Sequence, residues 1–376
     1  MNSCKDYSKL PVEEGGLSPG EKFWRKHYEW LQSKGYQLRP RFSPDWVPSW
    51  VSTKKYYMFC EDGPALMPGQ VIDAIYTPDG SSVALKRTDK SYHPYEEEIF
   101  RYLSSEPLSS DPRNHCAPLL DVLYPPEDSR NIILVMPMLR RFDSPPFDTF
   151  GEALECFRQL FEGLQFMHEH HVAHRDINGN NFMMHGVHLF PEKYHFVHDV
   201  LKPDLSGRAP HLTRSERPTK YYITDFGISS RYESDSRTSA LEPVIIGGDK
   251  SVPEFKDITI PQNPFRTDVY YAGNVIRQHF IEGHSKLTWI RGYYGFDFLK
   301  PLINDMVQED PAKRPTMDEV VKRFDAIVKG LSGWKLRSRV VPRRGNVITD
   351  VGRSIAHWRR KVQFILKGTP AIPRPS

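Results

Sequence analysis

The chain has 376 residues, 39% hydrophobic and 26% charged, with a formal net charge of +4. That composition excludes an intrinsically disordered chain, and so small a positive excess excludes a general polyanion-binding role. Cys4, Cys60, Cys116 and Cys156 lie far apart with no C-x-x-C pair, which argues against a disulfide scaffold or a cysteine zinc site and fits a reducing compartment.

The N-terminal "MNSCKDYSKLPVEEGG" has no apolar h-region, and no window approaches the roughly 18 to 20 apolar residues of a membrane span. An intracellular protein, cytoplasmic or nuclear, is therefore expected. Ser18, Pro19 and Glu21 form a capping box with proline in the first helical position. Phe23, Trp24, His27, Trp30 and Leu31 then continue at helical spacing to Gly35. The Pro- and Trp-rich "YQLRPRFSPDWVPSWV" lacks periodicity and is expected to run extended over the surface, either as packing or as a docking site for a partner.

From about residue 59 to 140 the runs "QVIDAIY", "SVALKR" and "NIILVMPML" predict a small sheet, interrupted by one helix from Tyr95 to Leu103. From residue 147 the pattern is largely helical, with Phe157, Leu160, Phe161, Leu164 and Met167 at three- and four-residue steps just before "AHRDINGNNF". A small β-rich half followed by a helical half predicts an α+β, two-lobed architecture with a cleft. The expected divisions are an extension over 1–58, a β-rich lobe over 59–140, a helical lobe over 141–330 with an insertion near 183–220, and a basic tail over 331–376.

Phosphoryl transfer needs cations on the phosphates, oxygen ligands for magnesium, and a group that orients the attacking hydroxyl. Lys86 ends the strand "VALK" and can reach phosphate oxygens if a carboxylate fixes its ammonium. Glu96 is the best partner. Ile99, Phe100 and Leu103 follow it at the third, fourth and seventh positions, which places it on the buried face of its helix. "HRD" with Asn181 can put a carboxylate on a hydroxyl and an amide on a metal, and "DFG" from Asp225 adds an acidic ligand with a flexible glycine behind it.

Taken in order, VALK, the helical glutamate, HRD with Asn181, and DFG make the chain resemble a eukaryotic-type protein kinase domain over about residues 59 to 330. Within that superfamily it is most similar to the kinase-like proteins expanded in mushroom-forming basidiomycete fungi, which share segments in the style of "GYQLRPR" and "PDWVPSW". The resemblance implies a bilobal protein kinase fold using ATP and Mg²⁺ on a protein substrate, with serine or threonine favoured over tyrosine. Asp176 would be the catalytic-loop base, Asn181 and Asp225 the magnesium ligands, and the Lys86–Glu96 pair the holder of the phosphates. Gly69, Val71 and Ala84 would line the nucleotide, and adenine would meet the Pro137 carbonyl and the Leu139 N–H. "VPE" at 252–254, "DVYYAG" from Asp268 and "DPAKRP" match further elements, with Arg314 expected to pair with Glu254. Phe100, His174 and Phe226 match an apolar spine. The VPE and Arg314 elements disfavour a small-molecule kinase.

Two departures leave a pseudokinase that binds a partner as the alternative. The glycine-rich loop reads "PALMPGQV" over 64–71, where only Gly69 stands in register and Pro64, Leu66 and Pro68 remove flexibility and N–H donors. Asn178 stands where a lysine is usual, so a transition-state cation is missing. Between Asn181 and Asp225, His185, His188, His195 and His198 form two H-x-x-H pairs, readable as zinc ligands or, preferably, as part of a polar hairpin or flap. Ser229, Ser230, Tyr232, Ser234, Ser236, Thr238 and Ser239 are candidate phosphosites for pairing with Arg175. After residue 333 the tail holds eleven Lys or Arg against one acidic residue, Asp350. It suits nucleic acid weakly, an acidic membrane or an import receptor, and is specific to none of them.

Overall fold

The computed structural model describes residues 7–53, 55–64, 69–233, 240–245, 247–284, 287, 290–344 and 347–375. The fold is α+β. It divides into two compact units, the first formed by Met1–Pro94, Pro118–Arg140 and Phe190–His211, the second by Tyr95–Ala117, Arg141–Leu189 and Leu212–Ser376.

The first unit is built on an antiparallel sheet of β1 (Tyr36–Leu38), β2 (Val71–Tyr76), β3 (Ser81–Asp89), β4 (Asp121–Leu123) and β5 (Asn131–Pro137), in the order β1-β2-β3-β5-β4. Its register sorts side chains between two faces, because successive residues of a strand point to opposite sides. Ile72, Ala74, Val83, Leu85, Ile133 and Val135 face one core. Into the same core the N-terminal segment sends Leu17, Trp24, Leu31, Phe42 and Trp46. The expected single helix is two: α1 (Pro19–Lys26), with the Ser18/Glu21 capping box, and α2 (Tyr28–Ser33), separated at His27. The stretch expected to run extended over the surface supplies β1, whose Tyr36 and Leu38 are buried. The short α3 (Trp50–Thr53) follows.

Two polar anchors fix this segment. Arg41 and Glu21 form a buried ion pair at 3.1 Å, with Arg41 also donating to the Asp62 and Gly63 carbonyls at 2.6 and 2.9 Å. The Asp62 carboxylate accepts from the Trp46 indole at 2.9 Å and the Ser49 N–H at 3.0 Å. Trp24 and Trp46 therefore act as core, while Val47, Tyr56 and Phe59 remain exposed.

Residues 190–211, expected to belong to the helical half, pack with the first unit. The reason is Arg140, whose guanidinium lies over the Phe190 and Tyr194 rings at 4.1 and 4.3 Å and pairs with Asp199 at 3.1 Å.

The second unit is helical around α5 (Phe150–Glu169), capped by Thr149, with Phe157, Leu160, Phe161, Leu164 and Met167 all buried. Around it lie α4 (Glu96–Leu103), α6 (Pro264–Ile276), α7 (Lys300–Met306), α8 (Met317–Lys329), α9 (Gly333–Leu336) and α10 (Val347–Leu366). The strands Phe182–Met184 and Tyr221–Ile223 pair antiparallel beside the segment that carries the polar motifs. Among the described residues no helix is long and apolar enough to cross a membrane.

Candidate active site

In the second unit the segment His174–Asn181 is held from below by one carboxylate. Asp268 of α6, fully buried, accepts the His174 and Arg175 N–H groups at 2.7 Å each and lies 3.1 Å from His168 Nε2. His174 Nε2 reaches the Thr224 carbonyl at 2.9 Å. The rings of Phe100, Phe226 and His174 meet edge to face in series, with centroids 5.1 and 5.6 Å apart. Arg175 and Asp225 both take left-handed backbone angles, φ 70° and 68°, a conformation that costs a non-glycine residue about 1–3 kcal/mol and persists only where the surroundings impose it.

The Asp176 carboxylate is the convergence point. Its Oδ1 accepts from Asn178 Nδ2 at 3.1 Å and from the Gly248 N–H at 2.6 Å, and its Oδ2 accepts from Asn181 Nδ2 at 2.9 Å. A carboxylate offers about four lone-pair sites, so these three donors leave one acceptor position, on Oδ2. Burial pushes the Asp176 pKa up; the Gly248 N–H pulls it down, and the charge of Asp225 nearby adds to the rise. Asn181 spends its Nδ2 on Asp176, which leaves Oδ1 as the acceptor atom of its amide, and the Thr224 N–H bonds the Asn181 carbonyl at 2.8 Å, tying it to the strand end that precedes Asp225. An amide oxygen and an exposed carboxylate are hard oxygen donors, which suits magnesium.

Glycines make this contact with Asp176. A Cβ added to Gly247 would lie 2.7 Å from Asp176 Oδ1, and one added to Gly248 would lie 3.1 Å from Asn178 Nδ2. Sequence reasoning missed this pair; its only signal was "GG" between the apolar "VII" and the polar "DKS". Further along, Glu254 and Arg314, both fully buried, form a two-pronged ion pair at 2.6 and 2.8 Å, and Arg314 also donates to the Gln308 and Arg266 carbonyls. Arg175, offered as a phosphate partner, pairs with Glu242 at 2.8 Å and donates to Ser230 Oγ at 2.7 Å. Ser234, Ser236, Thr238 and Ser239 lie outside the described residues.

In the first unit, Val71 pairs with Lys86 and Lys86 with Leu134, while Asp73 pairs with Ala84 and Ala84 with Met136. The alternation therefore puts Val71, Ala84 and Lys86 on the sheet face opposite the aromatic core. Pro137 ends β5 opposite Val83, and Leu139 follows, buried. Gly69 adopts φ 76°, and its carbonyl accepts from the Trp24 indole at 2.8 Å. Pro64 is described, whereas Leu66 and Pro68 lie outside the described residues. Glu96 opens α4 in the second unit and is buried.

Of the paired histidines, His195 donates from Nε2 to the Glu61 carbonyl at 3.0 Å and accepts at Nδ1 from the Val197 and His198 N–H groups. Both of its nitrogens are occupied, which leaves no lone pair for zinc. His185 and His188 stack at 5.6 Å, and His188 contacts Thr219 Oγ at 3.3 Å. Among the described residues no group of three or more His, Cys, Asp or Glu is placed to hold a metal ion.

Comparison with known proteins gives two similarities. A light-sensor protein kinase of Ceratodon purpureus is 22% identical over 76% of this chain and 23% of its own length. The serine/threonine-protein kinase CAK1 of Saccharomyces cerevisiae is 35% identical over 92 residues, 24% of this chain and 18% of its own. Both support the protein kinase superfamily. The chain matches only about a fifth of the length of each relative. No protein-family model matches the chain.

Proposed function

We propose that the chain is a bilobal, magnesium-dependent protein kinase that transfers the γ-phosphoryl group of ATP to a protein hydroxyl, serine or threonine before tyrosine. The observation that carries this reading is the Asp176 carboxylate, steadied by three N–H donors with one acceptor position left. That position would take the hydroxyl proton of a substrate and turn its oxygen towards the phosphate. Asn181 Oδ1 and the Asp225 carboxylate would hold Mg²⁺, a ligand set small enough for an ion that keeps waters and phosphate oxygens around it. Bound ATP with Mg²⁺ supplies the transferable phosphoryl group and neutralises its charge. Lys86, from the sheet face it shares with Val71 and Ala84, would meet the phosphates, with Glu96 as its counter-ion. Gly69, Pro137 and Leu139 would complete the nucleotide's surroundings. The kinship with kinase-like proteins of mushroom-forming fungi belongs to this proposal and rests on "GYQLRPR" and "PDWVPSW".

The pseudokinase reading is favoured by one observation, the tether of Gly69 to Trp24, which restrains the end of a loop already poor in glycine. Thermal unfolding with ATP, with and without Mg²⁺, separates the two readings. A ligand at 100 times its Kd stabilises by about 2.7 kcal/mol, and Lys86→Ala and Asp225→Asn should remove that shift. With binding established, Asp176→Asn should lower phosphoryl transfer by about 10²–10⁴-fold while leaving the nucleotide shift in place. A Mg²⁺-independent shift, or none at millimolar ATP, would sink the kinase reading.

A further inference from the structure

The tail helix α10 docks on its own unit along one flank. His357 and Arg360 reach Asp148 at 3.3 and 3.0 Å, and Lys361 and Phe364 are buried beside them. A second flank is not used in that docking. Val351, Ile355, Trp358, Val362 and Ile365 follow one another at three- and four-residue steps, with Leu366 four residues after Val362, and the six are between 49% (Ile365) and 82% (Leu366) exposed. Residues so spaced share one face of a helix, so they make an apolar stripe about 22 Å long. Trp334, 62% exposed, widens it by packing on Trp358 with ring centroids 5.9 Å apart, and the Lys361 ammonium lies 3.4 Å from the Trp334 ring centre.

Charge decides what can cover this stripe. From residue 333 onward the chain carries eleven Lys or Arg and one acidic residue, Asp350, and none of the residues after Asp350 is acidic. A second copy would set the exposed Arg359, which borders the stripe, against its own counterpart, with Asp350 the single acidic residue from 333 onward. A planar anionic surface instead accepts the apolar stripe, the two indoles at its boundary and the basic flanks together. We infer that α10 and Trp334 form a peripheral docking face for an anionic lipid bilayer, with the helix lying in the headgroup plane and not crossing it.

Co-sedimentation of the full chain with vesicles of phosphatidylcholine, with and without phosphatidylserine, tests this. Partition should be about tenfold stronger with phosphatidylserine and should weaken as salt rises, because the basic residues act through the surface potential. Ile355→Ser with Val362→Ser, at positions exposed enough to leave the thermal midpoint unchanged, should abolish it. Trp358 should shift its emission to the blue on binding in the parent chain. Absence of sedimentation with phosphatidylserine vesicles, or equal sedimentation of parent and variant, overturns the inference. So does a concentration-dependent dimer, or binding of soluble polyglutamate, that those substitutions abolish while vesicles remain unbound.

Discussion

The segments around Asp176 and around Gly69, both of which the proposed function uses, are held in place by different forces. Around Asp176 the restraint is polar and nearly saturated: Asp268 below, Asn178, Asn181 and Gly248 around, and Glu254 with Arg314 at the end of the same stretch of chain. Around Gly69 it is mainly packing, with Trp24 buried in an aromatic core and a single indole hydrogen bond to the Gly69 carbonyl. Polar restraint fixes atoms in position and orientation, because a buried group left without its partner is costly. Packing fixes volume and tolerates a change of chemistry that preserves shape.

The largest expected effect breaks the polar side. Arg314→Ala leaves Glu254 as a buried charge without its partner and should cost about 3–5 kcal/mol in chemical denaturation. Arg314→Lys should recover only part of this, because a single ammonium cannot reproduce the two-pronged geometry. Full stability in Arg314→Ala would show that the pair is replaceable by water and that the polar restraint is weaker than its geometry suggests.

Next comes Gly247→Ala. The added methyl would meet Asp176 Oδ1 at 2.7 Å and the Arg175 carbonyl at 3.2 Å, so one of them must move. Overpacking of this kind costs about 1–3 kcal/mol. If Asp176 is the base, phosphoryl transfer should fall by more than stability alone explains, read as a loss in kcat with KM for ATP unchanged. A smaller effect is expected on the packing side. Trp24→Phe keeps an aromatic ring in the core but leaves the Gly69 carbonyl without its donor, and should cost about 1–2 kcal/mol. Tighter ATP binding in this variant would identify the tether as a restraint on the nucleotide segment; weaker binding would identify it as a support.

This contrast also explains what could be read from sequence. Some contacts were legible because their chemistry demands particular residues: Glu254 with Arg314 stands as the expected ion pair, and Phe100, Phe226 and His174 meet as the expected apolar series. The helical periodicity of α5 was legible for a similar reason, since burial selects one face. What was not legible depends on contacts between distant segments. No local pattern says that "YQL" will pair with β2, that Trp24 will reach Gly69, or that Arg140 will draw residues 190–211 into the first unit. Gly248 was invisible for a further reason. Its contribution is a backbone N–H, which every residue except proline possesses.

The smallest expected effect concerns the anchor that seats α10, and it is read through pH. Burial alone would raise the Asp148 pKa, but hydrogen bonds from His357 and Arg360 outweigh it and hold the carboxyl below its ordinary value. A depressed carboxylate adds stability that is present above the unfolded-state pKa, about 3.9, and is lost as pH falls towards the folded-state value. Asp148→Asn should therefore cost about 1 kcal/mol near neutral pH, a modest figure for a site that water partly reaches. The gap between parent and variant should close as the solution is acidified below about pH 4, where the parent's carboxylate is itself being neutralised. A gap that stays constant with pH would mean that Asp148 contributes through shape and neutral hydrogen bonds. In that case α10 is seated by Phe364 and its neighbours, and the polar restraint seen around Asp176 does not extend to the tail.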